Sequence, residues 1–349
     1  MLTLRDLNRA TLARQHLLSR HEGDVADVVH RLAGLQAQEP RPPYLGIWSR
    51  LAGFERDDLH AALHARTLVR ATMWRATLHL VTAADFAVFR PVVRPVLAAA
   101  ARRFPEVDFD AVVAAADRLL AAGPMTFNEL RPRLLAEFPD AYDRALGYAV
   151  RMLTPLVMEP TEDRWSFPRE PSFGLPGIEP APAGPEALIG RYLAAFGPAT
   201  PADVQTWSGL GGLRKVMEGM DLERVADFAG RQLFDLPGAP RPGGDVPAPV
   251  RFLPDFDTLV LGHADRTRVL AEEYKGRVAT KNLRVRAVYL VDGFAAGTWQ
   301  IKRSGKKARL LVSPFAGADL GLLEEEGTRL LAFAEPDAVT LSLEVADTV

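Results

Sequence analysis

Apolar residues recur along the first part of the chain at helical spacing, in short bursts closed by proline, glycine or a capping side chain. Thr3, followed three residues later by Asp6, reads as the N-cap of a helix over 4–18. Asp24 caps a second helix over 25–38, in which Val25, Val28, Val29, Leu32 and Leu35 follow the 3.6-residue period. Pro42 and Pro43 open a helix carrying Tyr44, Ile47, Trp48 and Leu51, and another covers 56–66. The run Arg75 to Val81 then alternates, with Leu78 and Leu80 on one face and Thr77 and His79 on the other, which predicts a half-exposed strand. Helices closed by such a strand are the order of a winged helix.

The order repeats. Thr126 starts a helix to Glu137, a second runs over 141–154, and Asp163 to Phe167 reads as a wing strand. A Pro/Gly-rich linker over 174–184 precedes a helix over 185–196. After it, Thr200 is a natural N-cap with Pro201 at the first helical position, and Gly209 breaks the chain before the next helix, a helix-turn-helix signature. A second linker over 238–249 leads to strands at 284–291, 294–301 and 308–312, joined by the hairpin dipeptides Asp292-Gly293 and Ser304-Gly305. The expected fold is α+β and mainly α. Winged-helix units occupy 1–105, 106–182 and 183–245, and a small β-barrel or meander occupies 246–349.

Composition narrows the chemistry. The 349 residues include no cysteine, which removes disulfides, thiolate-bound zinc, iron–sulfur clusters and thiol nucleophiles together. No apolar run approaches the ~20 residues of a membrane span, and Arg5 and Asp6 stand where a signal peptide needs its apolar centre, so a cytoplasmic protein is expected. The net charge of −2 conceals an uneven distribution: between Arg266 and Arg309, twelve basic residues face three acidic ones, giving +9 there and −11 elsewhere. Such a local field attracts a polyanion, although the same pattern also describes a solvated arginine-rich surface. Winged helices with a basic β unit point to DNA, without yet requiring an enzyme.

The residue that raises the question of catalysis is Gln36. Stepping about 100° per residue from Val25 puts its amide in the middle of the apolar stripe of the second helix. Pro40 biases Glu39 away from helical geometry, so the last turn unwinds around Gln38 and both amides can converge on one pocket. An amide there can also simply satisfy carbonyls at a helix end.

Five segments together carry a resemblance. Gly34-Leu-Gln-Ala-Gln-Glu-Pro-Arg-Pro-Pro-Tyr-Leu-Gly-Ile-Trp-Ser-Arg50, Arg75-Ala-Thr-Leu-His-Leu-Val81, Pro198-Ala-Thr-Pro-Ala-Asp-Val-Gln-Thr-Trp-Ser-Gly-Leu210, Leu253-Pro-Asp-Phe-Asp257 and Leu290-Val-Asp-Gly-Phe-Ala-Ala-Gly-Thr-Trp299 resemble, in order and over nearly the whole chain, the AlkZ-type winged-helix DNA glycosylases. The resemblance implies tandem winged-helix motifs in a C-shaped body closed by a C-terminal β domain. It also implies a catalytic Gln-x-Gln motif at Gln36 and Gln38, and removal of N7-alkylated purines from double-stranded DNA at the bacterial nucleoid. Family members of the Gln-x-Gln subtype include self-resistance enzymes for DNA-alkylating or crosslinking antibiotics. Neutral amides suit that reaction, because they orient water without deprotonating it and a cationic N7-alkylpurine is already a good leaving group.

Other candidates rank lower. Glu39 is a possible base that also reads as a solvated carboxylate. His60 and His64 lie four apart on a helix, but without an H-E-x-x-H acid they read as a surface pair. Asp255 and Asp257 suit a metal less well than a turn or an arginine. Arg75, Thr77 and His79 are assigned to the DNA side of the first unit. Lys302, Arg303, Lys306 and Lys307 flank a hairpin tip and are assigned to phosphate contacts. Ser208 lacks the context of a hydrolase elbow, and no phosphate-binding glycine loop occurs. The expectation is therefore a monomeric DNA glycosylase without metal or cofactor. Its rival is a non-catalytic DNA-binding regulator, which has no need of two amides where apolar residues pack better.

Overall fold

The computed structural model describes residues 1–104, 107–280, 284–317 and 319–346. Helix α1 (Leu4–Arg14) starts in a complete capping box, Thr3 and Asp6 each bonding the other's backbone N–H. Helix α2 (Val25–Arg31) starts at Asp24 as expected but stops seven residues short of the expected end. Ala33 takes φ 56° and Gly34 φ 84°. Their N–H groups bond His30 and Val29 carbonyls, a Schellman closure that satisfies the helix end and turns the chain out. Leu35 and Gln36 consequently form a short strand, β1, and not the helix's last turn. Gly34 is required there, since a Cβ would stand 2.8 Å from Val81 Cγ1 on a left-handed backbone.

Helices α3 (Arg41–Trp48) and α4 (Arg56–His64) lead to strands β2 (Leu68–Thr72) and β3 (Leu78–Thr82). The expected half-exposed strand is buried on both faces: β3 lies between β1 and β2, with His79 and Leu80 1% and 2% exposed. Helices α5 (Ala83–Val92), α6 (Arg94–Ala101), α7 (Phe109–Leu120), α8 (Phe127–Glu137) and α9 (Asp143–Leu153) follow. Strand β4 (Met125–Thr126) precedes α8, and β5 (Val157–Met158) and β6 (Ser172–Gly174) follow α9. Asp163 to Phe167, expected as a wing strand, is a turn instead, held by Ser166 N donating to Asp163 O and Ser166 Oγ paired with Tyr44. The strands of this half join one sheet in the order β1-β3-β2-β5-β6-β4, so Ala71 of β2 pairs with Val157 of β5 across the expected unit boundary.

Helix α10 (Pro185–Phe196) is followed by α11 (Pro201–Ser208) and α12 (Leu213–Gly219), with Thr200 capping α11 and Gly209 (φ 82°) ending it as the sequence indicates. A hairpin of β7 (Glu223–Ala226) and β8 (Gln232–Asp235) completes this part. The C-terminal part contains β9 (Arg251–Leu253), one-turn helices α13 (Thr258–Leu261) and α14 (Lys275–Val278), then β10 (Val288–Val291), β11 (Phe294–Ser304) and β12 (Lys307–Pro314). Helix α15 (Leu320–Ala334) then carries the chain back to β13 (Thr340–Val345), which pairs parallel with β12. The sheet order β13-β12-β11-β10-β9 is open, with β9 and β13 at its edges, in place of the expected barrel. A helical crossover imposes the parallel pairing, and five strands end before closure. Among the described residues, no helix is long and apolar enough to cross a membrane.

Two fully buried ion pairs tie the parts together. Arg50 at the end of α3 grips Asp257 with both terminal nitrogens, at 2.9 and 2.8 Å. Asp257 also caps α13 through Leu259 N, so this carboxylate holds an arginine and a turn. Arg14 of α1 does the same with Asp235 of β8, at 2.7 and 2.8 Å. Removing one member of such a pair leaves a buried charge uncompensated, at a cost of about 3–5 kcal/mol.

Candidate active site

Pairing β1 with β3 sets Gln36 directly opposite His79 on one face of the sheet. The turn between β2 and β3 delivers a third polar group. Arg75 (φ 52°) and Ala76 (φ 58°) are both left-handed, a costly conformation for residues with a Cβ, and it folds the guanidinium back over the sheet. Arg75 Nη2 donates to Gln36 Oε1 at 2.9 Å, while Nη1 donates to the Trp207 carbonyl at 2.5 Å. Trp74 and Trp207 pack with ring centroids 4.7 Å apart, and Gly209 lets the end of α11 close on the Arg75 backbone. A strand, a strained turn and the helix-turn-helix thus meet at one carboxamide.

The electrostatics follow. Burial holds the Arg75 guanidinium down to about 10, aided by Arg266, so it stays cationic at neutral pH. As a donor it fixes which end of the Gln36 amide is oxygen. It polarises that amide, whose Nε2 bonds no described residue. His79 is driven well below its usual value by burial and by Arg75, and its Nδ1 bonds the Thr77 carbonyl at 3.0 Å, so the ring is neutral. Of the three residues assigned to DNA here, His79 is buried, whereas Arg75 and Thr77 lie half-buried in the turn before β3, Thr77 Oγ1 bonded to Trp74 O and Arg75 engaged by Gln36 and Trp207.

Gln38, two residues on, is exposed and lines a cleft of about 520 Å³ with Glu39, Arg70, Phe127, Arg151 and Phe167. Arg70 holds this segment in place, Nε donating to Ala37 O at 2.8 Å and Nη2 to Gln38 O at 3.2 Å, with its plane 4.6 Å from the centre of the Phe167 ring. Burial lowers it to about 10 against the opposing charge of Glu39. Sequence reasoning missed Arg70. The available signal was a lone arginine in the apolar run Leu68-Val-Arg-Ala-Thr72.

The basic hairpin divides by face. Register pairs Lys302 with Arg309 and Ser304 with Lys307, so Lys302 and Lys307 share one side of the β11–β12 ribbon, and Lys306 lies at its tip. Arg303 points to the opposite side, where it bonds Glu335 Oε2 at 2.8 Å. Lys302, Lys306 and Lys307 are exposed and form no ion pair among the described residues. Elsewhere in the basic segment Arg268 is interior, bonding Pro198 O and Thr11 Oγ1, and Lys281 lies outside the described residues.

The chain and its fold have counterparts among known proteins. The profile of the family described as "DNA glycosylase AlkZ-like" matches residues 29–333, and the chain belongs to that family. A relative from Streptomyces sahachiroi, described as an interstrand DNA cross-link repair glycosylase, is 27% identical over 336 residues, covering 87% of this chain and 88% of its own. The solved structure of Streptomyces sahachiroi DNA glycosylase AlkZ superposes with a TM-score of 0.81 at 23% identity, over 99% of this chain and all of that one.

Proposed function

We propose that this chain is a monofunctional DNA glycosylase that hydrolyses the bond between deoxyribose and an N7-alkylated guanine, with bulky adducts or interstrand crosslinks as preferred substrates. The observation that carries this reading is a pair of amides two residues apart, Gln36 held through Arg75 and Gln38 with its carboxamide free at the edge of a cleft. Gln36, its oxygen engaged and its amide polarised, orients water or sugar by donating through Nε2. Gln38 retains a free carboxamide whose oxygen accepts a hydrogen bond from the attacking water; as the water oxygen bonds C1′, the C1′–N9 bond breaks with its electron pair leaving on the purine, which departs neutral, and the water's proton passes to solvent. Neither ionises, so the positive charge of the alkylated base supplies the activation, and the protein contributes position and preorganised dipoles. Glu39 borders the same cleft and ranks behind the two amides. We place Arg75 and His79 in support of Gln36, and Thr77 in the turn that presents Arg75.

In this reading tandem winged-helix units hold the duplex and the cations of the hairpin contact its phosphates. The rival is a DNA-binding regulator built on the same body, and the paired amides argue against it. The test is one duplex series carrying N7-methylguanine, a bulky N7-guanine adduct or uracil, with released base and alkali-labile strands as readout. Release of both N7 adducts, faster for the bulky one and sustained in EDTA, is expected. Efficient excision of uracil, whose bond has no built-in activation, would overturn the mechanism. Binding without release of any base would favour the regulator.

A further inference from the structure

Two histidines that spacing alone leaves as a surface pair acquire a third neighbour in the fold. His60 and His64 stand one turn apart on α4, ring centroids 4.4 Å from each other. Glu162, on the loop between β5 and β6, spreads its carboxylate across them, with Oε2 3.7 Å from His60 Nε2 and Oε1 3.7 Å from His64 Nε2. The donor atoms of all three residues lie within 4.8 Å of one another. A separation of 3.7 Å is too long for a hydrogen bond. It does approximate the spacing of neighbouring ligands around an ion, since bonds of about 2.0–2.1 Å at a tetrahedral angle set donors roughly 3.4 Å apart. The next oxygen available is the Thr161 carbonyl, 3.1 Å from His60 Nε2.

We propose that His60, His64 and Glu162 form a binding site for a divalent transition metal, with Zn²⁺ the best match, that staples α4 to the β5–β6 loop. Two imidazoles and one carboxylate suit zinc, copper or nickel and disfavour magnesium and calcium, which seek all-oxygen shells. The imidazoles bind as neutral ligands. His60 gives up its hydrogen bond to Thr161 and carries its ring proton on Nδ1. Glu162 is exposed, so the ion enters directly from solvent and keeps water in any remaining position. The histidines and the glutamate are far apart in sequence, so the site exists only in the folded chain and binding stabilises that state. The staple borders a separate cleft with Tyr44, Arg56, Asp57 and Asp163, and takes no part in base release.

The experiment uses the full chain without an affinity tag, stripped with chelator and titrated with Zn²⁺ against a chromophoric competitor. Co²⁺ serves as a second, spectroscopic probe. One equivalent of Zn²⁺ per chain is expected. Losing an outer-shell partner of a metal already costs roughly 10–100-fold in affinity, so losing a ligand in His64→Ala or Glu162→Gln should weaken binding by at least about tenfold. Zn²⁺ should raise the Tm of the wild type and leave that of a variant combining His64→Ala with Glu162→Gln unchanged, while base release by the variants matches the wild type. Far-UV circular dichroism and the metal-free Tm establish that the variants are folded. Absence of a stoichiometric equivalent, or an equivalent bound with unchanged affinity in both variants, overturns the proposal.

Discussion

Gln36 and Lys306 mark two ways in which this chain presents a polar side chain. Gln36 is 8% exposed, its register set by β3, its oxygen bonded to a guanidinium that a strained turn and a tryptophan carbonyl hold in place. Lys306 sits at the tip of a two-stranded ribbon, exposed, on a glycine turn. The first kind of group has been ordered by folding, so it can act on a reacting centre without a further loss of entropy. The second is hydrated and mobile in its rotamers, so it contributes through charge, in small increments that salt erodes. The two regions should therefore respond to mutation differently, the strand in rate and the ribbon in salt-dependent affinity.

The largest effect belongs to the strand and the segment that follows it. Gln36→Ala and Gln38→Ala are each expected to lower the single-turnover rate of base release by about 10²–10³, the usual contribution of one positioned group, with little change in DNA affinity. Arg75→Met should reproduce much of the Gln36 loss, because it frees the amide that Arg75 orients. Equal losses of rate and affinity would erase the distinction between the two regions, and full activity of either glutamine variant would remove that residue from the site.

The same contrast explains what was legible in the sequence. Caps and turns were, because their chemistry is local: Thr3, Asp24, Thr126, Thr200 and Gly209 all mark helix boundaries as read. The hairpin dipeptide Asp292-Gly293 likewise takes positive φ at both residues, 46° and 81°. The strand bearing Gln36 was not, because the apolar period of α2 runs on past its true end through Leu35, and the stop is made by Ala33 adopting a conformation usually left to glycine. Gly34 in that position was the missed sign. That the C-terminal sheet stays open and that His79 is interior were also illegible, since both depend on which distant strand covers an edge. The buried partners of Gln36 and Gln38, Arg75 and Arg70, come from positions about 30–40 residues away that no local spacing links to them.

The next effect is a pH signature of the buried region that the ribbon lacks. Burial lowers His16 to about 4 and pushes His79 well below its usual range. Both folded-state values lie below that of an unfolded histidine, near 6.5, so the unfolded chain takes up these protons first as the medium is acidified. Their contribution to stability is present above about pH 6.5 and is lost as pH falls toward about 4. Denaturant midpoints measured at pH 7.5, 6 and 5 should decline, and less steeply for His79→Phe, whereas charge-neutral ribbon variants should parallel the wild type. A flat midpoint across this range would mean that the imidazoles are not held neutral inside.

The smallest effect is the sharpest test of the ribbon, because it sets three lysines against one arginine of the same hairpin. Each phosphate that a protein ceases to neutralise lowers the slope of log K against log salt by about 0.9. Lys302→Gln, Lys306→Gln and Lys307→Gln together should therefore reduce that slope by close to three such steps, weakening binding to damaged and undamaged DNA alike. Sequence groups Arg303 with these lysines, but it lies on the other side of the ribbon, its charge already offset by Glu335. Arg303→Gln should leave the slope nearly unchanged. Binding in which Arg303→Gln costs as much slope as Lys302→Gln would show that the ribbon's two faces both meet phosphate, and that the Glu335 pair opens on binding. An unchanged slope in the triple variant would move the DNA-binding surface off the ribbon and onto the helical units.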